Sequence, residues 1–210
     1  MNITILGAGN MGSALAKQLA RAGHHVRITS RNPDKARAAA DAAPGSKAVA
    51  TQDALAGADA IIVATGFADA IPALRALGSL AGKVVIDITN PLTPDYMGLT
   101  VGFDTSAAEQ IAKALPGAEV VKAFNTVFAQ VLANGPALAD GQVVPVYFAS
   151  SSKRAGETAK ALIESIGFRA VDAGDLKNAH YLEPLAGLNI YFGYGAGQGT
   201  AIAPAWMKAA

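Results

Sequence analysis

Short apolar runs recur along the chain, separated by longer alanine-rich segments whose apolar positions repeat at the helical period. "NITIL" (2–6), "HVRITS" (25–30), "DAIIVAT" (59–65), "KVVIDIT" (83–89), "EVVKAF" (119–124), "VVPVYFA" (143–149) and "FRAVDAG" (168–174) predict strands, with a shorter one at "KAVA" (47–50). Several are apolar without alternation, as strands buried on both faces are. Helices are predicted over about 10–22, 33–42, 67–79, 105–114, 152–166 and 178–193, with Gly23 and Gly167 just past two of them. Such alternation, closed by right-handed crossovers, gives an α/β fold. The expectation is a doubly wound, mainly parallel sheet of about eight strands with a C-terminal helix. One domain is expected over 1–210, its last helix and tail (about 178–210) packing on the sheet or on a dimer partner.

The turn after the first strand reads "GAGNMG", placing Gly7, Gly9 and Gly12 in the spacing G-x-G-x-x-G. Strand, glycine turn, helix and second strand follow at the distances of a Rossmann-type dinucleotide fold. The first glycine permits the tight turn, the second lets the backbone approach a pyrophosphate, and the third lets the helix pack closely. The loop Gly7, Ala8, Gly9, Asn10, Met11 and Gly12 is therefore expected to cradle the pyrophosphate at a helix N-terminus. A glycine turn in a ligand-free domain is the alternative.

Chemistry at the end of the second strand distinguishes the two nicotinamide dinucleotides. A carboxylate there would accept from the ribose hydroxyls of NAD. The chain instead has Ser30, Arg31 and Asn32, with Lys35 one turn on and no acid before Asp34. A guanidinium fork and an ammonium suit the additional phosphate of NADP(H).

Three other strand ends are unusual. "VATGF" supplies Ala64, Thr65 and Gly66, and "DITNPLTP" supplies Asn90 and Pro91, where the proline forces Asn90 out of helical geometry. "KAFNTVFAQ" puts Asn125 and Thr126 at a strand end, as helix caps or as a lining for the nicotinamide. Asn90, Asn125 and Thr126 are the expected positioning residues, and no catalytic acid or base is identified.

Composition narrows the rest. Seventeen basic and sixteen acidic residues leave a net charge of +1, which gives no reason to expect nucleic acid. The chain has no cysteine, and of its three histidines His24 and His25 are adjacent while His180 stands apart, which makes no metal cluster, so no metal site is expected. The first apolar run is too short for a secretory signal, and no segment has the length of a membrane span. A cytoplasmic protein is expected. No Tyr-x-x-x-Lys pair and no nucleophile elbow occur, so positioning for hydride transfer is the chemistry left.

"GAGNMGSALA", "TSRNPDKA", "VVKAFNT" and "DAGDLKNAHYLEPLAGLNI", in this order, resemble the coenzyme F420-dependent NADP oxidoreductases and the related cytosolic domain of the STEAP metalloreductases. The resemblance spans essentially the whole chain. It implies NADPH exchanging hydride with a deazaflavin or a flavin (FMN or FAD). It also implies a 2′-phosphate contact at Ser30 and Arg31, and Asn125-Thr126 on the nicotinamide side. The archaeal deazaflavin enzymes often carry a histidine where this chain has Asn125, which keeps an ordinary flavin or another small-molecule redox acceptor open.

Two further readings stand beside it. One is an NADPH-dependent reductase of a small imine or carbonyl compound, with Tyr96, Tyr181 or His180 as proton donor; the other is a non-catalytic NADP(H) sensor. The last helix, apolar around much of its circumference and followed by Tyr191, Phe192, Tyr194 and Trp206, is expected to support a homodimer.

Overall fold

The structure, a computed structural model, describes residues 1–138 and 141–206; the end of the predicted C-terminal tail, 207–210, lies outside the described residues. Eight strands form one sheet in the order β3-β2-β1-β4-β5-β6-β7-β8. They are β1 (Asn2–Leu6), β2 (His25–Thr29), β3 (Lys47–Ala48), β4 (Ala60–Val63), β5 (Val84–Asp87), β6 (Glu119–Ala123), β7 (Pro145–Ser150) and β8 (Arg169–Asp172). All neighbours pair parallel except β6 and β7, which run antiparallel, while β8 returns parallel to β7.

The helices are α1 (Asn10–Arg21), α2 (Pro33–Asp41), α3 (Phe67–Ala76), α4 (Ala107–Ala114), α5 (Ala129–Asn134), α6 (Lys153–Ser165) and α7 (Ala179–Ile190). β4 and β5 are buried at every residue because helices cover both faces, which is why they read as unbroken apolar runs. The edge strands β3 and β8 are short and half-exposed.

Local chemistry sets several helix starts. The Asn32 side chain accepts from the amides of Asp34 and Lys35, with Pro33 in the first turn of α2. At α4 the Ser106 hydroxyl accepts from the Glu109 amide and donates to the Glu109 carboxylate, and Ser152 caps α6. Two elements depart from the sequence reading. α5, six residues long, is too short to show a period; the Gln18 amide of α1 holds its end by donating to the carbonyls of Leu132 and Ala133. The last helix stops at Ile190, and Tyr191–Gly195 continues as a π-helical turn.

The order from β3 to β6 turns around between β1 and β4, so the crevice beyond their C-terminal ends is the switch point where such sheets bind ligands. Among the described residues no helix is long and apolar enough to cross a membrane.

Candidate functional site

The glycine turn is fixed by close packing. Gly7 has φ +121, its amide donates to the Thr29 carbonyl at 2.8 Å, and a Cβ there would lie 2.4 Å from the Ala64 carbonyl oxygen. At Gly12 a Cβ would lie 2.1 Å from the Gly7 oxygen, so the third glycine lets α1 sit against the turn. Gly9, the N-cap of α1, behaves differently: a Cβ there would meet nothing within 4 Å. The space beside it is open, and the first-turn amides of α1 beyond it lack intrahelical partners.

At the end of β2 the Ser30 hydroxyl donates to the Asn32 carbonyl and accepts from the Asn32 amide. The Asn32 oxygen is committed to capping α2. Arg31 is exposed and forks onto Asp69 of α3 at 2.9 and 3.2 Å, whereas Lys35 is exposed with no acidic partner among the described residues. Ser30 and Arg31 line a cavity of about 480 Å³ together with Arg37, a residue the sequence reading did not single out. Residues two apart on a helix point about 200° apart, which puts Arg37 and Lys35 on different faces of α2.

A larger cavity of about 580 Å³ opens at the switch point and joins separate parts of the sequence. Asn10 and Met11 of the glycine loop meet Asn90, Asn125 and Thr126 there. Tyr96 and Met97 contribute from a hairpin, and Asn189, Ile190 and Tyr194 from α7 and its π-helical turn. Pro91, Ala64, Thr65 and Gly66 do not line it. Gly66 is instead the N-cap of α3, and the Pro91 carbonyl accepts from Thr100. His180 and Tyr181 meet edge to face and neither lines the cavity, leaving Tyr96 as the one of the three expected proton donors that does.

Asn125 and Thr126 do not cap a helix, the alternative that the sequence left open: α5 begins after Phe128, with no side-chain cap. Phe124, fully buried, takes a left-handed φ of +60, an unusual conformation for an aromatic residue. The backbone turn at that residue brings Asn125 and Thr126 to the cavity, a strain of order 1–3 kcal/mol held by the packing around it. The Asn125 amide nitrogen donates to Asn90 Oδ1 (3.0 Å) and to the Leu182 carbonyl (2.9 Å), while Asn90 returns a bond to the Asn125 carbonyl. That leaves Asn125 Oδ1, with Thr126 Oγ1 and Thr89 Oγ1, as buried polar atoms without a partner. Groups of this kind are costly unless a ligand or water completes them.

Beneath this floor lies a buried charge cluster absent from the sequence reading. The Lys122 ammonium contacts Asp87 Oδ2 at 2.6 Å, the Thr89 carbonyl at 2.7 Å and Glu183 Oε1 at 2.8 Å. Glu183 also accepts from the amides of Ala107 and Ala108 at the start of α4, and Asp87 from the Thr89 amide. Burial pushes the Glu183 carboxyl above its ordinary range, and Lys122 acts in the opposite direction. Asn90 follows Thr89, Leu182 precedes Glu183, and Asn125 follows Lys122 by three residues, so the cluster fixes every partner of the Asn125 amide. Among the described residues no group of His, Asp and Glu is arranged for a metal.

Residues 2–91 match the family described as NADP oxidoreductase coenzyme F420-dependent. The F420-dependent NADP reductase of Methanothermobacter marburgensis is 35% identical over 90% of this chain and 91% of its own. Metalloreductase STEAP3 of Rattus norvegicus is 29% identical over 87% of this chain, which spans 36% of that longer protein. Among solved structures, a candidate F420-dependent NADP reductase from Arthrobacter sp. FB24 superposes with a TM-score of 0.83 at 31% identity, covering 95% of this chain and 96% of that one. A reductive aminase from Aspergillus terreus, solved with NADPH, shares the fold at a TM-score of 0.69 and 21% identity, over 93% of this chain and 62% of that one.

Proposed function

The chain belongs to the coenzyme F420-dependent NADP oxidoreductases, and we propose that it moves a hydride between NADPH and a planar deazaflavin or flavin ring in the cavity beside Asn125. The observation that carries this reading is the 580 Å³ cavity in which the glycine loop meets Asn125 and Thr126, two residues that each hold a buried polar atom without a partner. The residues present fit the dinucleotide. Open space at Gly9 and the free amides of α1 receive the pyrophosphate. Arg31, Lys35 and Ser30 receive the adenosine phosphate, Arg31 exchanging Asp69 for phosphate oxygens. Asn125 Oδ1 accepts from the nicotinamide carboxamide and Thr126 Oγ1 donates to it, which completes both atoms.

When bound, NADPH supplies two electrons and one hydrogen as hydride. The chain's part is to align donor and acceptor and to exclude water. Met11, Ile88, Val127, Phe128 and Ile190 line the cavity as apolar walls, and Tyr96 and Tyr194 offer exposed ring faces to a planar acceptor. Asn125 is held rigidly by Asn90 and Leu182, so the carboxamide it binds has one orientation. The acceptor takes up one further proton, which comes from water.

The test is NADPH oxidation against deazaflavin, FMN, FAD and ferric chelates, the last arm following the metalloreductase relatives. Turnover with a deazaflavin or flavin is expected, and inactivity with every acceptor would remove the reading. Reduction of a small imine is a second reading, favoured by Tyr96 at the cavity; full activity of Tyr96→Phe on imines would remove the proton donor it needs.

The proposal extends to assembly, with 1–210 as one domain. Tyr181, Leu188, Tyr191 and Trp206 are each more than half exposed, and the reading is that a second copy covers these apolar side chains in a homodimer. Sedimentation as a monomer at micromolar concentration would dismiss the dimer.

A further inference from the structure

We infer that Asn189 of α7 accepts a hydrogen bond from the ring of the hydride acceptor, so that the cavity selects planar rings carrying an imide N–H on their edge. The inference rests on the hydride-acceptor reading above and adds a specificity residue to it.

Leu182, Ala186 and Asn189 recur at helical spacing along one face of α7. The Leu182 carbonyl takes the Asn125 amide, while Ala186 and Asn189 line the cavity. An asparagine side chain is costly to bury without partners, and Asn189 is only 6% exposed. Its Nδ2 has a partner, donating to the Thr126 carbonyl at 3.2 Å. No described residue donates to its Oδ1. The amide cannot turn over, because two carbonyl oxygens would then face each other at Thr126. Asn189 therefore presents Oδ1 as a hydrogen-bond acceptor of fixed direction.

Asn189 also borders an apolar groove of about 360 Å³ lined by Leu185, Phe192, Ile202 and Pro204. Its amide nitrogen turns to Thr126, however, which lines the larger cavity and not the groove.

The dinucleotide leaves this oxygen over. The nicotinamide carboxamide completes Asn125 Oδ1 and Thr126 Oγ1. Asn90 is spent on Asn125 in both directions, and Asn10 is exposed on the glycine loop, at the dinucleotide end. Asn189 Oδ1 remains, next to Ile190 and on the same stretch of chain as Tyr194, whose ring face is open to a planar acceptor. Flavins and deazaflavins share a pyrimidine edge with one N–H between two carbonyls. That N–H, leaving water for apolar walls, needs an acceptor; a methylated nitrogen in its place would leave Asn189 Oδ1 unpaired.

Riboflavin and 3-methylriboflavin differ only at that N–H. Each is titrated into the protein at saturating NADP⁺, with binding read by quenching of flavin fluorescence. Riboflavin is expected to bind about tenfold more tightly. Asn189→Ala removes the oxygen and makes room for the methyl, so the ratio should fall to near one, chiefly through weaker riboflavin binding. A purely structural role would weaken both flavins alike and leave the ratio standing. The KM ratio in NADPH oxidation should follow the same order. Equal binding of the two flavins by the parent protein, or a ratio unmoved in Asn189→Ala, would overturn the role of Asn189 while leaving a flavin acceptor in place. Binding of neither flavin would overturn both.

Discussion

Lys122→Met probes the charge cluster that carries the site floor. The side chains of Lys122 and Asp87 are 0% exposed and that of Glu183 is 1% exposed, so water cannot replace the lost cation. The substitution keeps most of the volume but strands two carboxylates, each retaining only backbone amide donors. Breaking a buried ion pair from one side costs about 3–5 kcal/mol. For a chain of this size that is a fall in Tm of roughly 6–20 °C, at about 2–4 °C per kcal/mol. Acid should relieve it. The Glu183 carboxyl already sits above its ordinary value, and removing Lys122 takes away the attraction that opposed that rise. A carboxyl with a raised folded-state pKa contributes stability below its unfolded value and loses it as pH climbs through the folded value. The deficit of Lys122→Met against the parent should therefore narrow as pH falls from 7 toward 5, about half a unit above the ordinary glutamate value of 4.5, read by thermal melts at matched salt. Adding Glu183→Gln should recover part of the loss, because one stranded charge disappears. A melt within about 2 °C of the parent, or a deficit independent of pH, would refute the assignment of Lys122 as the neutralising centre.

Other expectations follow from single contacts. Arg31→Glu should weaken NADPH binding at least tenfold (about 1.4 kcal/mol) and NADH binding far less, measured by fluorescence titration. Gly12→Ala, whose Cβ would lie 2.1 Å from the Gly7 oxygen, should lower stability by about 1–3 kcal/mol in chemical denaturation. Gly9→Ala, with nothing within 4 Å, should keep its denaturation midpoint yet bind NADPH more weakly. Thr126→Val removes a buried hydroxyl that has no protein partner, so stability should hold or rise while hydride transfer slows about tenfold or more in single-turnover kinetics.

The strands were legible because a parallel sheet covered on both faces needs unbroken apolar runs, and β4 and β5 are such runs. The glycine loop was legible because Gly7 and Gly12 each answer a backbone contact that no side chain could tolerate. α5 was not: Ala129–Asn134 completes under two turns, too few to display a period. Asn125 and Thr126 were seen at the right place with two roles open, and the left-handed turn at Phe124 removes the capping role. Glu183, within an apolar helical stretch, and Lys122, within a strand run, gave no local sign that they meet.

Sequence alone thus determined what depends on neighbours in the chain: strand and helix periods, the spacing of the three glycines, and the basic residues that follow β2. Tertiary structure decided what depends on residues far apart: the pairing of Lys122 with Asp87 and Glu183, the locked amide of Asn125, and the cavity shared by the glycine loop, the Asp95 hairpin and Tyr194. The physical reason is that backbone geometry and hydrophobic period are written within a few residues. Desolvation and charge pairing, in contrast, exist only once the sheet has brought the strand ends together.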